Sequence, residues 1–177
     1  MAEQNRAPLP HAFHPEVEAF TVTSADVAPG ADLAEAQVLT GGNVSPELRW
    51  EGFPEGTKSF AVTCFDPDAP TGSGFWHWVL FDIPASVTSL PAGAGSGDFE
   101  GLPEGAVHAR NDYGTRDFGG AAPPRGERHR YVFTVYAVDR EQLGTDEDSS
   151  PASVGFHLRF HAIGRAQLIG EYESPAG

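Results

Sequence analysis

The sequence predicts an all-β domain, a sandwich of short antiparallel strands closed by one C-terminal α-helix. Short apolar or alternating runs recur along its 177 residues, separated by segments rich in Gly, Pro, Asn and Asp. Only the stretch after residue 150 combines a helix start signal with helical spacing of its apolar residues. One long run, Tyr131-Val132-Phe133-Thr134-Val135-Tyr136-Ala137-Val138, is β-branched and aromatic throughout and apolar on both faces, so it belongs at the centre of a sheet.

Taken in order, residues 1–14 are rich in proline and polar groups and read as a loose arm on a single domain spanning 1–177. Phe20 to Ser24 alternates like a strand. Pro29 and Gly30 mark a loop, and Ala34 to Thr40 is ambiguous by period. Gly41-Gly42-Asn43-Val44-Ser45-Pro46 is turn-rich, with two glycines free to take positive φ. Leu48 to Trp50 is a short strand and Phe53 to Thr57 a turn. Two strands, Phe60–Phe65 and Trp76–Ile83, flank a rigid loop, and Pro84 ends the second because proline donates no ladder bond. Pro91 to Pro103 and the region from Asn111 to Gly126 read as long loops, the latter pinned by aromatics and prolines and therefore functional. Ser150-Pro151 is an N-cap followed by proline at the first helical position. The expected helix runs from Ala152 to Ile163, with Val154 and Leu158 on one stripe, and Ala166 to Tyr172 reads as a last strand.

Composition narrows the function classes. No apolar run approaches the roughly 20 residues of a membrane span. Met1 to Arg6 lacks a basic segment leading into an apolar one, which predicts a cytoplasmic protein. Cys64 is the single cysteine, so no internal disulfide is possible, and its apolar setting predicts a buried thiol. A net charge of −14, with eleven scattered basic residues and one small cluster at Arg125, Arg128, His129 and Arg130, argues against nucleic acid and anionic bilayers as partners.

The chain contains no P-loop, dinucleotide fingerprint, zinc spacing or nucleophile elbow. His157 and His161 are one helical turn apart but lack the accompanying Glu of a zinc protease, so one is expected to face the core and the other solvent, with no metal and no cofactor. The better constellation lies in two segments. Asp66 and Asp68 end one strand and His77 starts the next, so Asp66 and His77 can meet at one end of a sheet. An alternative reading makes the carboxylates turn caps and His77 a half-buried residue between tryptophans. Gly120, Pro123, Pro124 and His129 come from the later loop, and Phe75, Trp76, Tyr113 and Tyr131 are candidate pocket walls. Imidazoles and loop N–H groups suit phosphate or carboxylate, and the carboxylates suit an ammonium group, so together they suit a small zwitterion.

Asp66-Pro67-Asp68-Ala69-Pro70, His77-Trp78, Pro123-Pro124 and His129-Arg130-Tyr131 resemble the motifs of the phosphatidylethanolamine-binding protein family. Asn43 to Trp50, Asn111-Asp112-Tyr113-Gly114 and Leu168 to Tyr172 resemble its bacterial Raf-kinase-inhibitor-like (YbhB/YbcL) branch, and the likeness spans Phe20 to Tyr172. The resemblance implies a Greek-key sandwich and a small anion-accepting pocket lined by Asp66, Asp68, Pro70, His77, Gly120, Pro123, His129 and Tyr131. It also implies a cis peptide at Ala69-Pro70. Ala121-Ala122 depart from the second motif. The function expected is a non-catalytic binding or regulatory protein for a phosphorylated or zwitterionic ligand, such as a phosphatidylethanolamine headgroup. The alternatives are a module that inhibits a kinase or protease through residues 115–128, and a hydrolase using an Asp/His pair. A homodimer is an open expectation.

Overall fold

Two sheets and one helix stack in three layers in a computed structural model that describes residues 6–177. The strands are β1 (Glu18–Ala19), β2 (Thr21–Thr23), β3 (Leu48–Glu51), β4 (Ser59–Asp66), β5 (Phe75–Pro84), β6 (Ser89–Leu90), β7 (Val107–His108), β8 (Arg128–Val138) and β9 (Ala162–Glu173), with α1 at Pro151–His161. The large sheet has the order β1-β9-β8-β4-β5-β7 and the small one β2-β3-β6. Within the large sheet β4, β5 and β7 are successive antiparallel neighbours, and β8 returns to pair with β4. That return is a Greek key. The β1–β9 pair is parallel, the one departure from the antiparallel expectation among the described strands.

The core divides in two. Leu48 and Trp50 of the small sheet face Phe60, Val62, Cys64, Trp78, Phe133 and Val135 of the large one. On the opposite face of the large sheet, Ala61, Val79, Phe81 and Val138 pack with Leu143 and with Val154 and Leu158 of α1. Covering on both faces explains why β4 is almost wholly buried and why its sequence is an apolar run without alternation. Among the described residues no helix is long and apolar enough to cross a membrane.

Several expectations need correction. The helix stops at His161, and β9 begins at Ala162, four residues earlier than the pattern suggests, because β9 pairs with β8 all the way to Val138↔Ala162. Ser150 caps the helix as expected, its Oγ accepting the Ser153 N–H at 3.1 Å. In the Gly41–Pro46 turn Asn43, not a glycine, takes positive φ, at 52°. Gly41 and Gly42 are required by proximity, since a Cβ would lie 2.3 Å from Glu35 O and 2.9 Å from Ala36. The expected arm, of which residues 1–5 lie outside the described residues, is held at several points over the rest of its length. Pro10–Phe13 forms a 3-10 turn, Arg6 pairs with Glu171, and Arg130 donates to Ala7 O at 2.6 Å.

Candidate ligand site

The loop between β4 and β5 and the entry to β8 converge at one end of the large sheet. Asp66, the last residue of β4, is 2 % exposed. Its Oδ1 accepts the Asp68 N–H at 2.8 Å, an Asx turn that sets the loop's first bend. Its Oδ2 accepts from His129 Nδ1 at 2.7 Å, and His129 Nε2 donates to Glu127 Oε2 at 2.8 Å. The carboxylate–imidazole pair anticipated in the sequence therefore exists, with His129 and not His77 as its imidazole. The turn-cap reading of Asp66 also holds.

Both ring nitrogens of His129 face carboxylates. Burial pushes its pKa down, but the hydrogen bonds to Glu127 and Asp66 outweigh that and hold it above its ordinary value. Burial raises the Asp66 carboxyl against the pull of the same imidazolium. With a carboxylate oxygen at each ring nitrogen, the geometry favours the imidazolium form of His129.

Asp68 is fully engaged. Its Oδ2 accepts the Arg130 backbone N–H and Nε, each at 2.9 Å, and its Oδ1 accepts from Arg130 Nη2 at 2.7 Å. Burial opposes ionisation, yet Arg130 holds the carboxyl below the ordinary range. Asp68 is thus a clamp between loop and strand and not an open receptor for ammonium.

His77 reaches the site through a β-bulge. Cys64 pairs with Trp78 and Phe65 with Trp76, which leaves His77 as the extra residue of β5. The bulge turns His77 to the same side as Trp78, away from Trp76. The His77 ring sits edge-on to Tyr131 and Tyr113, at centroid distances of 5.2 and 5.5 Å, and 4.9 Å from Phe75. Its Nδ1 donates to Gly119 O at 2.8 Å. Burial drives its pKa down to about 4, against the opposing pull of the Gly119 and Gly120 carbonyls, so the ring is neutral and Nε2 is its acceptor. Trp76, an expected pocket wall, packs on Phe65 at 4.3 Å on the other face of the sheet.

The later loop serves as a frame. Gly120 donates its N–H to Asn43 Oδ1 at 2.7 Å, and its carbonyl accepts from Tyr113 Oη at 2.9 Å. A Cβ at Gly120 would lie 2.6 Å from Leu39 N. Pro123 is buried, and Pro70 is exposed. The Ala69–Pro70 peptide is trans, contrary to expectation, and the loop turns instead on the Asx bond of Asp66 and on Thr71 N–H donating to Ala69 O at 2.7 Å. Tyr131, 1 % exposed, has a buried hydroxyl with no hydrogen-bond partner among the described residues. Burial raises its pKa far above the ordinary value, so it is a donor, and the Ala122 backbone opposes that shift only weakly.

Sequence reasoning missed Glu127 and the clamp role of Arg130. Glu127 and His129 are two apart at a strand start and share a face, a signal that was available. It also missed His108, 8 % exposed, which accepts from Trp78 Nε1 at 2.9 Å and whose pKa burial lowers to about 4. The helical histidines make local bonds. His157 Nδ1 donates to Ser153 O and His161 Nδ1 to Asp139 Oδ1. Neither enters the core, because Val154 and Leu158 occupy that stripe.

A Greek-key sandwich with a carboxylate–histidine cluster at one sheet end is the architecture of a family of binding-type proteins. A family model described as phosphatidylethanolamine-binding protein matches residues 23–173, and the chain belongs to that family. It is 49 % identical over 167 residues to the YbcL protein of Escherichia coli (strain K12), covering 91 % of each chain. It is 48 % identical over 147 residues to YbhB of the same organism, covering 83 % of this chain and 92 % of that one. The crystal structure of E. coli YbcL, described as a new member of the mammalian PEBP family, superposes with a TM-score of 0.84 at 50 % identity, covering 87 % of this chain and 98 % of that one. A homologue from Chlamydia trachomatis D/UW-3/CX gives a TM-score of 0.76 at 27 % identity, covering 89 % and 99 %.

Proposed function

We propose that this chain is a non-catalytic binding protein whose ligand presents a phosphate monoester, with or without an attached ammonium group, to the cluster of His77, Tyr131, Asp66 and His129. The observation that carries this reading is the buried, unpartnered Tyr131 hydroxyl beside a neutral His77. A buried donor without an acceptor is costly, and a ligand oxygen would satisfy it. Neutral His77 offers Nε2 as an acceptor. The complementary group carries both an acceptor oxygen and an acidic proton, which a phosphate monoanion does. Asp66, His129, Asp68 and Arg130 neutralise one another and hold the walls in place. A phosphoethanolamine headgroup fits this pattern, its ammonium reaching the exposed Glu127 carboxylate.

The test is a phosphorus NMR titration with O-phosphoethanolamine and inorganic phosphate, with ethanolamine added as a competitor of their bound signals. Wild type is expected to bind the two phosphates and not ethanolamine. Tyr131→Phe should weaken binding about tenfold, the worth of one hydrogen bond to a charged group. Binding that is unchanged in both Tyr131→Phe and His77→Ala would overturn the reading.

A further inference from the structure

On the far side of the large sheet, α1 and the N-terminal arm roof an apolar cavity of about 420 Å³. That volume lies within the range of about 300–1,000 Å³ typical of small-molecule sites. Phe65, Trp76, Val79 and Tyr136 form its floor from the sheet, and Ala152, Gly155 and Phe156 its roof from the helix. The cavity is separate from the His77–Tyr131 cluster, because Trp76 and His77 lie on opposite sides of β5.

Two observations point to an occupant. First, the charge is inverted. The chain has 25 acidic and eleven basic residues, yet the lining of this cavity contains Arg159, Arg165 and His14 and, among the described residues, no carboxylate. Neither arginine has a salt bridge among the described residues, whereas Arg6, Arg49, Arg110, Arg116, Arg128 and Arg130 do. His11 lies close to Arg165 and His14, its buried Nδ1 without a partner among the described residues, and burial and Arg165 hold both imidazoles below their ordinary pKa, so the two arginines carry the charge. Second, the helix carries a glycine with no local reason. Gly155 lies mid-helix with no positive φ, and a Cβ there would meet nothing within 4 Å. Glycine at such a position weakens a helix. What it leaves is open space in the roof.

We infer that this cavity binds a single-chain anionic amphiphile, its alkyl tail between α1 and the sheet and its carboxylate on Arg159 and Arg165. The tail gains from apolar burial and the headgroup from two guanidinium groups in a surface that otherwise repels anions.

The test uses the full chain and ω-bromoundecanoate below its micelle concentration, because bromine quenches tryptophan on contact. Trp76 lines the cavity, whereas Trp50 and Trp78 are buried between the sheets. Saturable quenching is expected. Gly155→Leu places its Cβ where nothing lies within 4 Å and its side chain in the roof, and should abolish it, with a thermal midpoint no lower than wild type. Arg165→Gln should weaken it about tenfold. Undecanoate should displace the probe at least about tenfold better than undecanol, and O-phosphoethanolamine should not displace it. Quenching that fails to saturate, or survives in a folded Gly155→Leu, overturns the proposal. Equal displacement by the alcohol overturns the role of the arginines. Absence of quenching together with a dimer by sedimentation that Phe156→Ser disperses assigns this face to a second copy of the chain, and overturns it as well.

Discussion

His77 and Trp76 are adjacent in β5 and look out on opposite environments. On the His77 side nearly every charge has a partner. Asp66 and Glu127 hold His129, and Arg130 holds Asp68. On the Trp76 side two arginines border an apolar cavity without a carboxylate among the described residues. The first region is closed by its own hydrogen bonds and leaves the buried Tyr131 hydroxyl without a partner among the described residues. The second is open, apolar and bordered by basic side chains. The motif-bearing end of the sheet commits most of its polar groups to its own architecture, so a residue's presence in a motif does not make it a ligand contact.

The contrast breaks most visibly if a member of the saturated side is removed. Asp66→Ala leaves His129 and the Asp68 N–H without their buried partner, and urea unfolding should show a loss of about 3–5 kcal/mol. A loss below about 1 kcal/mol would mean that the charges are solvated and the region is not closed.

Acid sharpens the comparison next. Folding holds His77 at about 4 against an ordinary 6.5, so the unfolded chain binds the extra proton between those values. The stability associated with neutral His77 is full above pH 6.5 and is lost as pH falls toward 4, by up to about 3 kcal/mol. His108 adds in the same direction. His129 has the opposite sign. Its raised pKa contributes stability that is full below 6.5 and lost as pH rises through the folded value. Stability measured across pH should therefore fall on the acid side in wild type, and fall less in His108→Gln.

On the helix side the effects are smaller. Ser150→Ala removes the N-cap and should cost about 1 kcal/mol by thermal unfolding, with no change in phosphate binding. Gly155→Ala should raise stability by up to about 1 kcal/mol, a shift of about 2–4 °C, because nothing obstructs its methyl group. A decrease would mean that the glycine is needed for packing and not for space.

The strands flanking the Asp66–His77 loop, the central position of Tyr131–Val138 and the capped helix were legible because each is a local pattern of burial and turn chemistry. The junction of helix and last strand was not. Ala162 to Arg165 continue the helical stripe, yet pairing with β8 takes them into the sheet. That Asp66, His77 and His129 gather near one sheet end was legible, and the pairing was not, since Asp66 and His129 are 63 positions apart and nothing local prefers one imidazole over the other.

The sequence by itself determined the sandwich, its single helix, its family and the residue types gathered at one sheet end. These follow from side-chain alternation, turn residues and caps, which act within a few residues. Tertiary structure alone decided that Asp66 meets His129, that Asp68 is claimed by Arg130, that a bulge puts His77 on the same side as Trp78, and that α1 and the arm roof a basic-rimmed cavity. Each of these depends on strand register and layer packing between distant segments, and a one-residue shift of register exchanges the faces on which side chains lie.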